Sequence, residues 1–155
     1  VYDNDNETIR KEVMEGKRER IDMLMDIAAF HQKFEIPRLP QPGLLAVEDM
    51  GFRISFLFEE MQELVTAYEG DDLVEQFDAL IDLVYVALGT AYMMGLPFAD
   101  GWSRVHEANM KKVRAESEFD PRSKRMHKFD VVKPEGWVSP DLTDLCSTII
   151  LETKQ

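Results

Sequence analysis

Residues 56–96, FLFEEMQELVTAYEGDDLVEQFDALIDLVYVALGTAYMMGL, decide the fold. Their apolar positions recur at helical spacing on both sides of the turn Glu69-Gly70-Asp71-Asp72, which predicts two helices in a hairpin. Gly70 suits the position just past the end of the first helix, and Asp71 or Asp72 the N-cap of the second. The first helix carries Glu59, Glu60 and Glu63, three or four residues apart and so on one face. The second carries Glu75, Asp78 and Asp82 at i, i+3 and i+7, again one stripe. An antiparallel hairpin lets the two acidic stripes face each other.

The surroundings of these acids matter as much as their spacing. Phe56, Leu57, Phe58, Met61, Leu64 and Val65 flank the first set. Asp82 carries the lone charge in residues 79–96. A carboxylate in such a helix is costly to bury unless a cation or hydrogen bonds compensate it. Several converging carboxylates raise one another's pKa. A hard divalent cation resolves the conflict, and oxygen-only ligands favour magnesium, manganese or calcium. Solvated helix faces would explain Glu59, Glu69 and Glu75 taken singly, but not Asp82.

At 155 residues with 45% apolar content, the chain is expected to form one globular domain with a real core. The helical core is expected over about residues 17–115, with a C-terminal extension over 116–155. Against 18 basic residues stand 30 acidic ones, a net charge of -12. That excess argues against a nucleic-acid polymer or an anionic membrane surface as partner. It leaves room for a small nucleotide held through cations. The single Cys146 permits no internal disulfide and suits a reducing compartment. The polar N-terminus lacks a signal-peptide pattern, so a cytoplasmic location is expected, in the host where the source is a virus. The uncharged run 83–99 is long, but Gly89, Thr90, Gly95 and Pro97 interrupt it and Asp82 precedes it. It is read as a helix buried in a bundle or subunit interface, not a membrane span.

Upstream, helical signal begins near Glu7, weakens at Gly16 and is strong over 17–34. His31, between Phe30 and Phe34, is read as a helix-end residue near the surface, with contact to a nucleotide base as the functional alternative. Pro37, Pro40 and Pro42 then enforce an extended crossover ending at Gly43. A helix beginning between Leu44 and Asp49 runs to Glu69, and the next runs over 73–95. A fourth is expected from Phe98 or Ala99 to about Ala115, with Trp102, Val105, Ala108, Asn109 and Val113 facing inward. Beyond it lie a basic turn over 120–127, a short strand-like run over 129–132 and a last helix over 142–152.

Glu60-Met-Gln-Glu63 followed by a second acidic helix resembles the all-α nucleoside triphosphate pyrophosphatases. That superfamily includes MazG, the dimeric dUTP pyrophosphatases and the phosphoribosyl-ATP pyrophosphohydrolases. Its signature is E-x-x-E, a spacer of a dozen or more residues, then E-x-x-D. The resemblance covers roughly residues 30–113, with Arg53 ahead of the paired acids. VHEANMKKV and KPEGWVSPDL look like the phosphoribosyl-ATP-pyrophosphohydrolase-like branch common in phages, which has MazZ-like members. Asp82 matches the final aspartate of the signature, but three residues before it stands Ala79 where the family has glutamate. Either Asp78 supplies that ligand, or Glu75-Gln-Phe-Asp78 is the second half. Glu75 also reads as the N3 member of a cap led by Asp72.

The resemblance implies an all-α bundle of four or five helices, completed by homodimer or homotetramer formation. It implies hydrolysis of a (d)NTP to (d)NMP and pyrophosphate, with a deoxynucleotide such as dGTP as a candidate substrate and broad nucleotide housecleaning as the alternative. By the same resemblance, Glu60, Glu63, Asp78 and Asp82, with Glu75, hold two or more Mg2+ or Mn2+ ions, and Glu59 is the candidate base. Lys112, with Lys111 second, would meet phosphate, and Asn109 phosphate or sugar. His31, Phe30, Phe34 and Trp102 are candidates for base contact. A di-iron carboxylate bundle is the competing enzyme class. It needs Glu-x-x-His pairs, and the residues three before His31, His106 and His127 are Ala28, Ser103 and Lys124. A non-catalytic helical metal- or nucleotide-binding protein is the third reading, kept open by Ala79.

Overall fold

A computed structural model describes residues 22–147. Its elements, in chain order, are α1 (Met23–Lys33), α2 (Val47–Glu69), α3 (Leu73–Met93), α4 (Phe98–Met110), β1 (Val113–Arg114), β2 (Val131–Val132) and the single turn α5 (Thr143–Cys146). The chain is all-α, as expected, with one two-stranded ribbon attached. The expected helical signal over 7–21 and the end of the expected last helix lie outside the described residues.

The α2–α3 hairpin is the centre of the molecule. Asp72 caps α3, its carboxylate accepting from the backbone N–H groups of Val74 and Glu75 at 3.0 and 3.1 Å. Glu75 does not return the bond: the Asp72 N–H donates to the carbonyl of Ala67 instead. The turn itself corrects the expectation for Gly70. Gly70 has φ −87°, ordinary helical backbone, and the left-handed residue is Asp71 at φ +53°. Aspartate tolerates that region because its short polar side chain can bond locally.

Gly95 carries the conformational demand at the other end of α3. Its φ is +68°, and a Cβ there would stand 2.8 Å from the carbonyl oxygens of both Leu39 and Gln41. The proline-bearing crossover lies directly against it. That crossover also terminates α3: the N–H groups of Leu39 and Gly43 donate to the carbonyls of Met93 and Met94 at 2.8 and 3.1 Å. Prolines at 37, 40 and 42 keep the segment extended, and Leu39 between them and Gly43 just after them supply the donors.

Helix α4 stops sooner than the sequence suggests. Val113, expected on its inner face, pairs with Val132, and Arg114 with Val131. The intervening loop outcompetes helix continuation because two buried carboxylates organise it. Asp120 accepts from the N–H groups of Glu116 and Arg122 and from the Arg122 guanidinium. Asp130 accepts from Ser123, Arg125 and the Val131 N–H. The Arg122 bond, followed by the backbone donors, holds Asp120 far below the usual carboxylate range. Trp137 pins the following segment back, its Nε1 donating to the Ala108 carbonyl at 2.8 Å. Trp102 and Asn109, also expected inward, are exposed; of that face Ala108 is buried. No helix among the described residues is long and apolar enough to cross a membrane.

Candidate active site

Along α2 the buried residues are Arg53, Glu60 and Ala67, spaced by seven and so on a single stripe. Each end of this stripe is tied to α3. Arg53 Nη2 donates to the Val86 carbonyl at 2.7 Å, and its Nε to Thr90 Oγ1 at 3.0 Å. Gln76 Nε2 reaches the Ala67 carbonyl at 3.4 Å. Between these ties lies Glu60, and Asp82 of α3 is the charge that acts on it most.

Glu60 is 6% exposed, and its Oε2 has no hydrogen-bond partner. Burial raises its pKa, and the charges of Asp82, Glu63, Glu59 and Asp78, in that order, raise it further. Five carboxylates from two helices therefore share one electrostatic neighbourhood, with Glu60 buried at its centre. Asp82 is half-buried, while Glu59, Glu63, Glu75 and Asp78 are exposed. Toward the turn, the same two helices border a cleft of about 650 Å³, lined by Glu59, Gln62, Glu63, Thr66, Asp72 and Glu75. Glu75 thus belongs to the cleft, and is not among the groups acting on Glu60. Ala79 is 2% exposed; a glutamate there would need space the packing does not leave.

The side chains as placed do not form a finished cage: among the described residues, no three His, Cys, Asp or Glu side chains converge to hold a metal ion. The chemistry of the donors nonetheless fits a hard cation. An unpartnered buried carboxylate oxygen surrounded by further carboxylates lacks a positive charge to accept it.

The other sequence-selected residues lie apart from these acids. His31 is not near the surface: it is 2% exposed, with its Nδ1 unpartnered and its ring 4.9 Å from that of Tyr92. Burial, and then the nearby Arg53 cation, lower its pKa and so favour its uncharged form. Trp102 lines a separate apolar cleft with Leu96, Pro97, Val105 and Leu145. Lys111 pairs with Glu107 at 2.7 Å on the surface. Lys112 lies 5.7 Å from the Trp137 ring, and Lys133 flanks the same ring at 4.4 Å. Asn109 is exposed at the end of α4. Sequence reasoning gave Arg53 no role beyond its place ahead of the acids. Its spacing of seven from Glu60 was the available signal.

An all-α chain built on a helical hairpin with acids on both helices fits the all-α, MazG-like nucleoside triphosphate pyrophosphatases. Residues 27–109, more than half of the chain, match the family described as phosphoribosyl-ATP pyrophosphohydrolase, and the chain belongs to that family. The match begins in α1 and ends in α4, so it contains the whole hairpin and both of its ties. It is a family of pyrophosphohydrolases acting on nucleotides, hence of hydrolases that cleave phosphoric anhydrides. No curated protein matches the chain significantly.

Proposed function

We propose that the protein hydrolyses a nucleoside triphosphate, a deoxynucleotide such as dGTP in particular, to the monophosphate and pyrophosphate. The observation that carries this reading is Glu60: a buried carboxylate oxygen without a partner, amid four more acids. Glu60, Glu63, Asp78 and Asp82 would hold magnesium or manganese ions, with Glu75 reaching from the cleft. Such ions, when bound, neutralise the triphosphate and activate water. Glu59 is exposed on the cleft wall and accepts the proton that the attacking water loses at the α-phosphorus. Burial of Glu60 keeps its carboxylate away from bulk water, so a bound cation faces little competition for it. Asn109, Lys112 and Lys111 are the groups proposed for phosphate and sugar, and they sit together where α4 ends. His31 is too deeply covered to meet a base without movement of α1, which leaves Phe30, Phe34 and Trp102 as base-contact candidates.

The test is to incubate the protein with Mg2+ or Mn2+ and each of the eight common NTPs and dNTPs separately, resolving mono-, di- and pyrophosphate. Monophosphate with pyrophosphate is the expected product pair. Chelation with EDTA and the Asp82→Asn substitution should each lower the rate by roughly 10³-fold, the scale seen when electrostatic stabilisation of a transition state is removed. Cleavage by Asp82→Asn at the wild-type rate would remove the site assignment. Equal turnover of every nucleotide would favour general housecleaning over a dedicated dGTP enzyme.

A second copy of the chain is proposed as partner. Phe52, Phe58 and Tyr68 of α2 and Phe77 and Leu80 of α3 are exposed large apolar side chains on the hairpin. Apolar surface on that scale marks an interface more often than a free face. Light scattering at assay concentration should give a dimer or tetramer; a monomer that is fully active would reject this assembly.

A further inference from the structure

Arg53 is 7% exposed, and among the described residues no carboxylate lies within ion-pairing distance of it. Among the described residues its partners are a backbone carbonyl and a hydroxyl, not an acid, so it is placed to bridge helices. Its donors go to α3, at Val86 and Thr90, and Thr90 Oγ1 itself donates to the same Val86 carbonyl at 2.8 Å. The fork geometry of guanidinium lets one side chain grip two acceptors at once, which a lysine cannot do. Helix α3 opens a gap for it at Gly89, where a Cβ would stand 3.0 Å from both Arg53 Nη2 and His31 Nε2. His31 covers the head group from α1. Three helices therefore meet at this grip, and the dry surroundings strengthen its hydrogen bonds.

The grip sits two turns from Glu60 on the same stripe, roughly 10 Å along the axis. Gln76 to Ala67 makes the matching tie on the far side. Those three bonds are the side-chain hydrogen bonds joining α2 to α3 among the described residues. Between the ties lie carboxylates whose repulsion pushes the helices apart. Arg53 is also not among the groups that act on the Glu60 proton, so its influence there is geometric.

We infer that Arg53 is a positioning residue, a register clamp that holds α2 against α3 so that Glu60 stays in the field of Asp82. The inference rests on the proposed metal-dependent reaction and adds a residue that touches neither substrate nor cation.

The experiment compares wild type with Arg53→Met, Arg53→Lys and Thr90→Val. Each is checked for folding by circular dichroism in EDTA, then titrated with Mn2+ by calorimetry well below its melting temperature, and assayed for kcat and KM. Folded Arg53→Met is expected to bind Mn2+ at least tenfold more weakly, with kcat down tenfold or more and KM changed less than threefold. A purely structural role would lower the melting temperature and leave Mn2+ affinity intact. Arg53→Lys is expected to behave like Arg53→Met; full restoration by lysine would show that charge alone matters and overturn the inference. Thr90→Val keeps the Val86 bond and loses the other, so about threefold weaker binding is expected, and it decides the matter if Arg53→Met does not fold. Wild-type Mn2+ affinity in folded Arg53→Met, or in Thr90→Val where that variant decides, overturns the inference alone. A wild type that takes up no Mn2+ overturns the functional reading, and this inference with it.

Discussion

Glu60→Gln is expected to make the metal-free protein more stable while abolishing hydrolysis. Burial and four neighbouring acids raise the Glu60 pKa in the folded state. A carboxylate with a raised folded pKa binds its proton more tightly folded than unfolded. Its ionised form therefore costs stability at neutral pH, and the cost disappears as pH falls through the raised pKa toward the unfolded value. Glutamine keeps the shape and removes the charge. In EDTA at pH 7–8 the variant should melt about 2–5 °C above wild type, the shift that roughly 1 kcal/mol produces in a chain of this size. The gap should close as the pH is lowered. The difference between the two proteins is the quantity to follow, because Asp120 and Asp130 act in the opposite direction. Their pKa values are depressed, chiefly by hydrogen bonds from Arg122 and from Ser123 respectively. Both proteins lose that stability together as pH falls through those low values. Saturating Mg2+ should stabilise wild type, by about 2.7 kcal/mol at a hundred times the dissociation constant, and have little effect on the variant. Thermal melts across pH, with and without Mg2+, check all of this. A destabilised Glu60→Gln in EDTA would mean that the carboxylate already has a stabilising partner, and would remove the central argument for a cation.

The hairpin and its acids were legible because they depend on local rules. Apolar periodicity places α2 and α3, and Asp72 announces a cap whose bonds are made within three residues. Asp82 stood out because an uncompensated charge in an apolar run has few explanations. What sequence could not supply came from contacts between distant segments. His31 looked like a surface residue at a helix end, but α3 and its Tyr92 close over it. The end of α4 was drawn too far because the loop that replaces it depends on Asp120 and Asp130 gathering donors from both sides. Ala79 shows a third kind of limit. Read against the family signature it is a missing ligand. In the fold it is a buried position, and the acids of α3 lie one residue earlier, one turn later and toward the turn. The burial of Ala79 is a steric reason for a small residue at that position.

Glycine 95 is where a single methyl group should do the most damage to folding. Glycine 70 looked like the demanding turn residue because it follows a helix and precedes two aspartates. Its backbone is ordinary, and a Cβ there would meet nothing nearer than 3.5 Å. Gly70→Ala should therefore change stability by no more than about 0.5 kcal/mol. Gly95→Ala faces two separate costs. Left-handed backbone costs a non-glycine residue about 1–2 kcal/mol. The new methyl also stands 2.8 Å from two carbonyl oxygens, both backbone, so the crossover must move. Moving it breaks the bonds from Leu39 and Gly43 to the end of α3, at about 1 kcal/mol each. A total loss on the order of 3–4 kcal/mol follows, a large share of the stability of a small protein. The injury should also reach the site, because the crossover sets where α1 lies, and α1 carries the histidine that covers Arg53. Urea unfolding of the two variants gives the comparison directly. A larger loss in Gly70→Ala than in Gly95→Ala would mean that the strain sits in the hairpin turn, and that the crossover is a loose strap with no part in holding the helices in register.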